Sequence, residues 1–330
     1  MTETLPATQE HASSPRGFLS SRPVQRVMKN RASLFGALII LVFIAVALLA
    51  PVLAPPRGEC LTDLGAESAS EVYNPFGAAF WRGLIAPGSC FNIPRLNFSE
   101  RPTAPGSDAL LGTAGGYDLW YGLVWGTRTA FYLSLVVTIF SALIGALVGS
   151  IAGYFRGIVD DVFMRFTEVV FAFPSLVLII VLVTLLGRSL ENIALAFVLT
   201  GWAGYARLVR GEVMRVRELE FVEGARALGA QHPRIILRHI IPNALTAFVA
   251  IMMLDMGSVV LAVSGLSFLG LGTADGYADW GQIIGFGRAW VTTPEYWYVI
   301  LFPGLTVVLW GLGWSLFGEG VRAALDPRGR

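Results

Sequence analysis

Charge is what this sequence has least of. Of 330 residues only 14% are Asp, Glu, Lys or Arg, against 55% hydrophobic, and the mean hydropathy is +0.64. That balance excludes a soluble or disordered chain and belongs to an integral membrane protein. Lysine is nearly missing. Lys29 is the single one and Asn30 follows it, so no phosphate-cradling loop of the form G-x-x-x-x-G-K-[ST] can be built. If ATP is involved, another chain must hydrolyse it. Histidine is confined to His11, His232 and His239, none of them with a partner at a metal spacing such as H-E-x-x-H. Without a nucleophile and base, or a metal cluster, meeting inside the apolar runs, catalysis in this chain has nothing to rest on. The net charge of +1 gives no case for nucleic acid, because the placement of the basic residues has another explanation.

What is abundant is apolar sequence in long runs. A hydrocarbon core about 30 Å thick needs roughly 20 apolar residues per helix. The runs are Ser33 to Ala54, Thr129 to Phe155, Val169 to Gly187, the shorter Asn192 to Ala206, Ile240 to Ala274 broken only by Asp255, and Tyr296 to Gly318. They predict an all-α integral membrane protein with six transmembrane helices. The first run follows a polar tail, exceeds a signal-peptide core in length and ends in Pro-Val-Leu-Ala-Pro-Pro without a cleavage site, so it reads as a retained anchor. Basic residues gather at 16–31, 156–165, 207–238 and 322–330, which places both termini in the cytoplasm.

The predicted organisation is a cytoplasmic tail over 1–32, a first transmembrane helix over 33–54, an extracytoplasmic loop over 55–125, a five-helix domain over 126–320 and a cytoplasmic tail over 321–330. Pro55, Pro56, Pro87, Pro94, Pro102 and Pro105 make the outer loop more than a connector and imply a compact shape with a contact role. Both cysteines, Cys60 and Cys90, fall in it. In an oxidising compartment a disulfide is expected, with two free thiols as the alternative. A second outer segment, residues 272–295, is too short to cross, and Trp280, Trp290 and Trp297 are expected to anchor it at the interface.

Two features carry functional information. Asp255 is the one clear ionisable group inside a predicted helix; Glu168 and Glu191 sit at helix ends. A structural role and a pathway-facing role for Asp255 both stand. The other feature is the polar interruption "FVEGARALGAQHPRIILRHIIPNAL", residues 221–245. Glu223, Ala225, Arg226, Ala227 and Leu228 are mostly good helix formers, Gly229 suits a C-terminal cap, and Pro233 suits the first turn of a following helix. Ala225 and Gly229 are four apart and are expected to share a face that another surface can approach closely. A docking surface for a cytoplasmic partner and a basic helix on anionic headgroups are both compatible with the spacing.

This stretch resembles the EAA loop of ATP-binding-cassette importer permeases. Glu223, Ala225, Gly229 and Pro242 match that pattern, Gly224 stands for its second residue, and His239 and Ile241 depart from it. "ARALG" followed by "RHIIPN" is similar to the dipeptide and oligopeptide permease group in particular. So are "LGT" at 111–113 ahead of "GTRTAFYLSL", "GLSFLGLG" at 265–272 and "GEGVRAALDPR" at 318–328. The likeness covers nearly everything from residue 110 onward, and the tail with its anchor looks like the C-type subunit. Departures are "GTAGGYD", Tyr121 and Gly122 where a Ser-Arg pair is common, Val263 where an acidic residue often stands, and the long outer loop.

The resemblance implies a type I importer permease fold and a coupling loop over 214–242. It further implies a second, homologous permease subunit, two cytoplasmic ATPase subunits that carry ATP and Mg, and an extracytoplasmic substrate-binding protein. No cofactor is expected in this chain, and the location implied is the cell inner membrane. Peptide is the cargo implied, although members of the group also carry glutathione, nickel chelates and sugars. A self-sufficient ion-coupled carrier is the alternative from a different class.

Overall fold

A computed structural model describes residues 27, 30–72, 82–83, 86–235, 238 and 241–325. The predicted tail up to residue 26, His239 and residues 326–330 lie outside the described residues, as do the side chains of Arg226, Pro233 and Pro242.

The first apolar run forms α1 (Arg31–Leu48), capped by the Asn30 side chain on the Ala32 N–H, and a one-turn extension α2 (Ala50–Leu53). In the outer loop come α3 (Glu59–Leu64), α4 (Ala69–Val72), a 3-10 turn (Gly88–Phe91) and the two-stranded hairpin of β1 (Thr113–Ala114) and β2 (Tyr117–Asp118). "GTAGGYD" thus makes a tight turn whose central residues, Gly115 and Gly116, both have positive φ.

The second span, α5 (Leu119–Phe155), begins earlier than the predicted boundary at 126. Asp118 caps it by accepting the Tyr121 N–H, and Arg128, one residue ahead of the apolar run from Thr129, lies inside it. The helix is about 55 Å long, well beyond the hydrocarbon thickness. α8 (Leu190–Arg217) likewise runs past the apolar limit at Ala206, with Ser189 as its N-cap. α11 (Ile241–Phe268) and α13 (Tyr298–Leu325) complete the long helices.

The predicted third crossing is corrected. Residues 169–187 do not form one helix: α6 (Gly157–Phe171) and α7 (Ser175–Leu186) meet at 83°. Pro174 lacks an N–H and drives Phe173 out of helical geometry, so the chain turns there. Twelve residues of α7 reach only about 18 Å, short of a crossing. Among the described residues five helices are long and apolar enough to span a membrane, or six if the bent pair is one span.

The most extensive helix contact joins α5 to α8. It is built on Ser141, Gly145, Gly149 and Gly153, four residues apart along α5, so the backbones approach closely; lipid offers no hydrophobic drive between helices, and such packing is what holds them. Next come α13 against α11 and α1. One end of the bundle gathers the hairpin, the 3-10 turn, the turn at 187–189 and the segment after α11. Ile93 N–H donates to Gly276 O, Ala278 N–H to Phe91 O, and Arg188 pairs with Asp275 at 3.1 Å. The opposite end holds Arg156 paired with Glu218 at 2.5 Å and Arg217 bonded to the Tyr154 carbonyl.

Trp280 corrects another expectation. It lies in α12 (Trp280–Gly287), is 2% exposed, and packs at a tilt against Phe43 and edge-on against Trp310 while its indole N–H donates to Leu123 O at 3.0 Å. It is a core residue and no interfacial anchor; Trp297, by contrast, is exposed.

Candidate functional site

The predicted interruption folds into α9 (Glu220–Ala227), a break, and α10 (His232–Ile235) leading toward α11. The sequence explains the stop. Gly229 has φ +80°, and the Ala230 N–H reaches back to Ala225 O at 3.1 Å, the long bond that closes a helix on a left-handed residue. Gly229 therefore lies beyond the helix and does not share a helical face with Ala225, as the four-residue spacing had suggested. Pro233 falls in the first turn of α10.

α9 is held on one side only. Val222 is fully buried with Ile235, Val209, Val213, Val216, Tyr154, Tyr205 and Phe248 in one apolar cluster contributed by α5, α8, α10 and α11. Outward it presents Glu223, Gly224, Ala227 and, just past the helix, Leu228, which is 90% exposed. A Cβ on Gly224 would meet nothing within 4 Å. Glu220 and Glu223, both exposed, put two carboxylates beside these small and apolar residues.

Asp255 sits midway along α11, half-buried, on the wall of a cavity of about 380 Å3 enclosed by α5, α7, α8 and α11. Thr138, Ser141, Thr200, Tyr205 and Ser258 line the same cavity among Val137, Ile179, Phe197 and Val259. Tyr205 belongs both to this wall and to the cluster that holds Val222.

Cys60 and Cys90 are joined in a disulfide, with Cα atoms 4.6 Å apart and both side chains buried. The bridge ties α3 to the 3-10 turn that pairs with Tyr277 and Ala278. Tyr121, one of the departures noted in the sequence, donates its hydroxyl to Cys90 O at 2.8 Å.

Several structural anchors escape sequence reasoning. Arg128 donates from Nε to Ala47 O at 2.6 Å and from a terminal nitrogen to Gly83 O at 2.8 Å, and Trp120 and Trp125 donate to Leu53 O and Ala54 O. The bonds to Ala47, Leu53 and Ala54 satisfy carbonyls at the end of α1 and just after it. Arg210 grips Asp160 with both forks at 2.5 and 2.6 Å, locking α6 to α8 beside a polar cavity of about 350 Å3. Their fifty-residue separation leaves no local pattern to find.

In the outer segment, Asp279 is buried and accepts from Ser267 Oγ and from the Gly281 N–H at 2.9 Å. Burial pushes its carboxyl above the usual range, against the pull of those donors. Asp118 is shifted the same way for the same reason, opposed by the Tyr121 N–H and by Arg57.

At least five helices long and apolar enough to cross a membrane, with a one-sided polar helix between two of them, describe a multi-pass membrane component. The chain belongs to the family of binding-protein-dependent transport system inner membrane components, whose family model matches residues 145–330. It is accordingly a multi-pass inner-membrane protein, and the readings as an intramembrane enzyme or a self-sufficient ion-coupled carrier fall away.

Within that class, residues 22–65 match the model for the N-terminal TM domain of oligopeptide transport permease C. The chain is similar to the glutathione transport system permease protein GsiD of Pectobacterium atrosepticum, 34% identical over 76% of this chain and 82% of that one. It is also similar to the dipeptide transport system permease protein DppC of Bacillus subtilis, 29% identical over 92% of this chain and 84% of that one. Among solved structures, a chain of the inward-facing MetNI methionine ABC transporter is 18% identical, covering 61% of this chain and 96% of that chain with a TM-score of 0.49.

Proposed function

We propose that this chain is one of two permease subunits that together form the translocation pathway of an ATP-driven importer for dipeptides or oligopeptides. Two cytoplasmic ATPase subunits carrying ATP and Mg, and an extracytoplasmic substrate-binding protein, complete it. The observation that carries the reading is α9, clamped to the bundle by Val222 and open to solvent along Glu223, Gly224, Ala227 and Leu228. A partner that changes shape on this surface moves the cluster behind it, and only a differential contact with the partner's two states can do so. Peptide cargo is supported by relatives whose names specify dipeptide and oligopeptide transport.

The topology that fits is six crossings, with α6 and α7 counted as one bent span, and both termini cytoplasmic. The clustering of basic residues supports that orientation. So does a disulfide at the opposite end, since such bonds persist in oxidising compartments. In vesicles holding the assembled complex, Glu223→Ala or Gly229→Arg is expected to leave ATP hydrolysis running while uptake of labelled Ala-Ala falls about tenfold or more. Wild-type uptake by either variant would sink the reading.

A further inference from the structure

Asp255 differs from the other buried carboxylates described. Asp118 has a backbone N–H and Arg57, Asp160 has both forks of Arg210, and Asp279 has Ser267 and the Gly281 N–H. Asp255 lies beside Tyr205 and Ser258 on the cavity wall, Ser258 Oγ donating to its main-chain oxygen at 3.1 Å, and it makes no ion pair among the described residues. Among the described residues no arginine, lysine or histidine lines its cavity. An intramembrane carboxylate without a countercharge is costly to keep. The same cavity also receives the hydroxyls of Thr138 and Ser141, both buried and both without a hydrogen-bond partner among the described residues. Unmet hydroxyls, whose oxygens can accept, beside an unpaired carboxylate suit a primary ammonium, which brings a positive charge and three N–H donors.

We infer that this cavity is a transit site for the primary ammonium group of the cargo, with Asp255 as its counter-ion and the hydroxyl oxygens of Thr138 and Ser141 as further acceptors. The inference rests on the proposed role of the chain in the pathway. It adds to that role a preference for cargo with a free amino terminus, set inside the membrane rather than by the binding protein. The volume of about 380 Å3 admits such an end with the first residues behind it.

The test has two arms. Because the two native cysteines are bridged, Gly204→Cys on the exposed rim introduces the single free thiol, at a position where a Cβ meets nothing within 4 Å. In the purified protein its reaction rate is measured with 2-aminoethyl methanethiosulfonate and with the neutral methyl reagent, each relative to a small thiol in solution. The cationic reagent is expected to be favoured about tenfold, and Asp255→Asn to abolish that preference. In the second arm, vesicles with the complete importer take up Ala-Ala and N-acetyl-Ala-Ala.

Asp255→Asn is expected to cut Ala-Ala uptake about tenfold and leave the acetylated peptide unchanged, with Asp255→Glu retaining both. A labelling ratio indifferent to Asp255, or an equal fall for both peptides, overturns the inference while wild-type uptake keeps the importer reading intact. Absence of wild-type uptake of either peptide overturns both together.

Discussion

Adding one methyl group to Gly149 is expected to weaken the contact between α5 and α8. A Cβ built there lies 2.4 Å from Ala206 O, 2.9 Å from Arg210 N and 3.0 Å from Val209 Cβ. The two nearest atoms are backbone, so no rotamer change can make room. α8 must back away by about an ångström, and a gap of 0.5–1 Å forfeits a quarter to a half of each dispersion contact along the seam. Overpacking of this kind costs about 1–3 kcal/mol, which in a chain this size lowers Tm by roughly 1–4 °C.

Gly211 is the control. It lies on the same helix pair, on the exposed side of α8, with nothing within 4 Å of an added Cβ. There alanine removes a helix penalty of about 1 kcal/mol and should raise Tm slightly. Melting of Gly149→Ala and Gly211→Ala in one detergent therefore gives shifts of opposite sign. Equal shifts, or a Gly149→Ala protein as stable as wild type, would refute the claim that backbone proximity holds this interface.

Reducing the Cys60–Cys90 bridge, or replacing both residues by serine, frees a stapled loop and is expected to cost about 2–4 kcal/mol; protease nicking within residues 58–95 of the reduced protein, absent from the oxidised form, checks it. Arg210→Met strands the Asp160 carboxylate between α6 and α8. Because the arginine is itself a third exposed, the expected loss is only about 1–2 kcal/mol, read as a lower Tm that Asp160→Asn in the same chain partly restores. Asp279 supplies a pH test. A carboxyl raised above its ordinary 3.8 binds its proton more tightly in the folded chain, so its contribution is fully present below that value and is lost as pH rises toward the raised one. The stability margin of wild type over Asp279→Asn should shrink as pH rises above the ordinary carboxylate value of 3.8, and a constant margin across a pH series would count against the assignment.

Much of the architecture is legible because lipid imposes a simple rule: apolar runs of sufficient length cross. α1, α11 and α13 follow from composition alone, and the stop at Gly229 follows from glycine's access to positive φ. The rule fails where a charge lies inside a helix for a reason outside it. Arg128 looks like a boundary until Ala47 and Gly83 bring their carbonyls to it, from 81 and 45 residues away. The same blindness shortens α8, whose polar last turns are held by Asp160 and the Tyr154 carbonyl. Trp280 misleads in the other direction: a tryptophan in a short outer segment reads as an interfacial anchor, and only the fold shows Phe43 and Trp310 enclosing it. At the candidate site, Asp255 and residues 223–229 stand out by position, whereas the hydroxyls of Thr138 and Ser141 are ordinary until the cavity gathers them.

How a push on α9 could be felt at Asp255 depends on what lies between them. Val222 packs into a cluster that includes Val209, Val213 and Val216 along one side of α8 and ends at Tyr205, on the cavity wall. These residues share one continuous helix, and Tyr205, Val209 and Val213 themselves rest against the glycine seam of α5. A helix gripped over that length by backbone contacts cannot absorb a displacement locally; it has to move as a body or not at all. Movement of α8 as a body shifts Gly201, Gly204 and Tyr205 against Asp255 on α11, which alters the cavity without any residue of α9 entering it. The seam that makes α5 and α8 stable is therefore also what makes α8 stiff enough to carry a signal. Loosening it by Gly149→Ala should cost coupling as well as melting temperature, whereas a signal carried by α11 alone would leave coupling untouched.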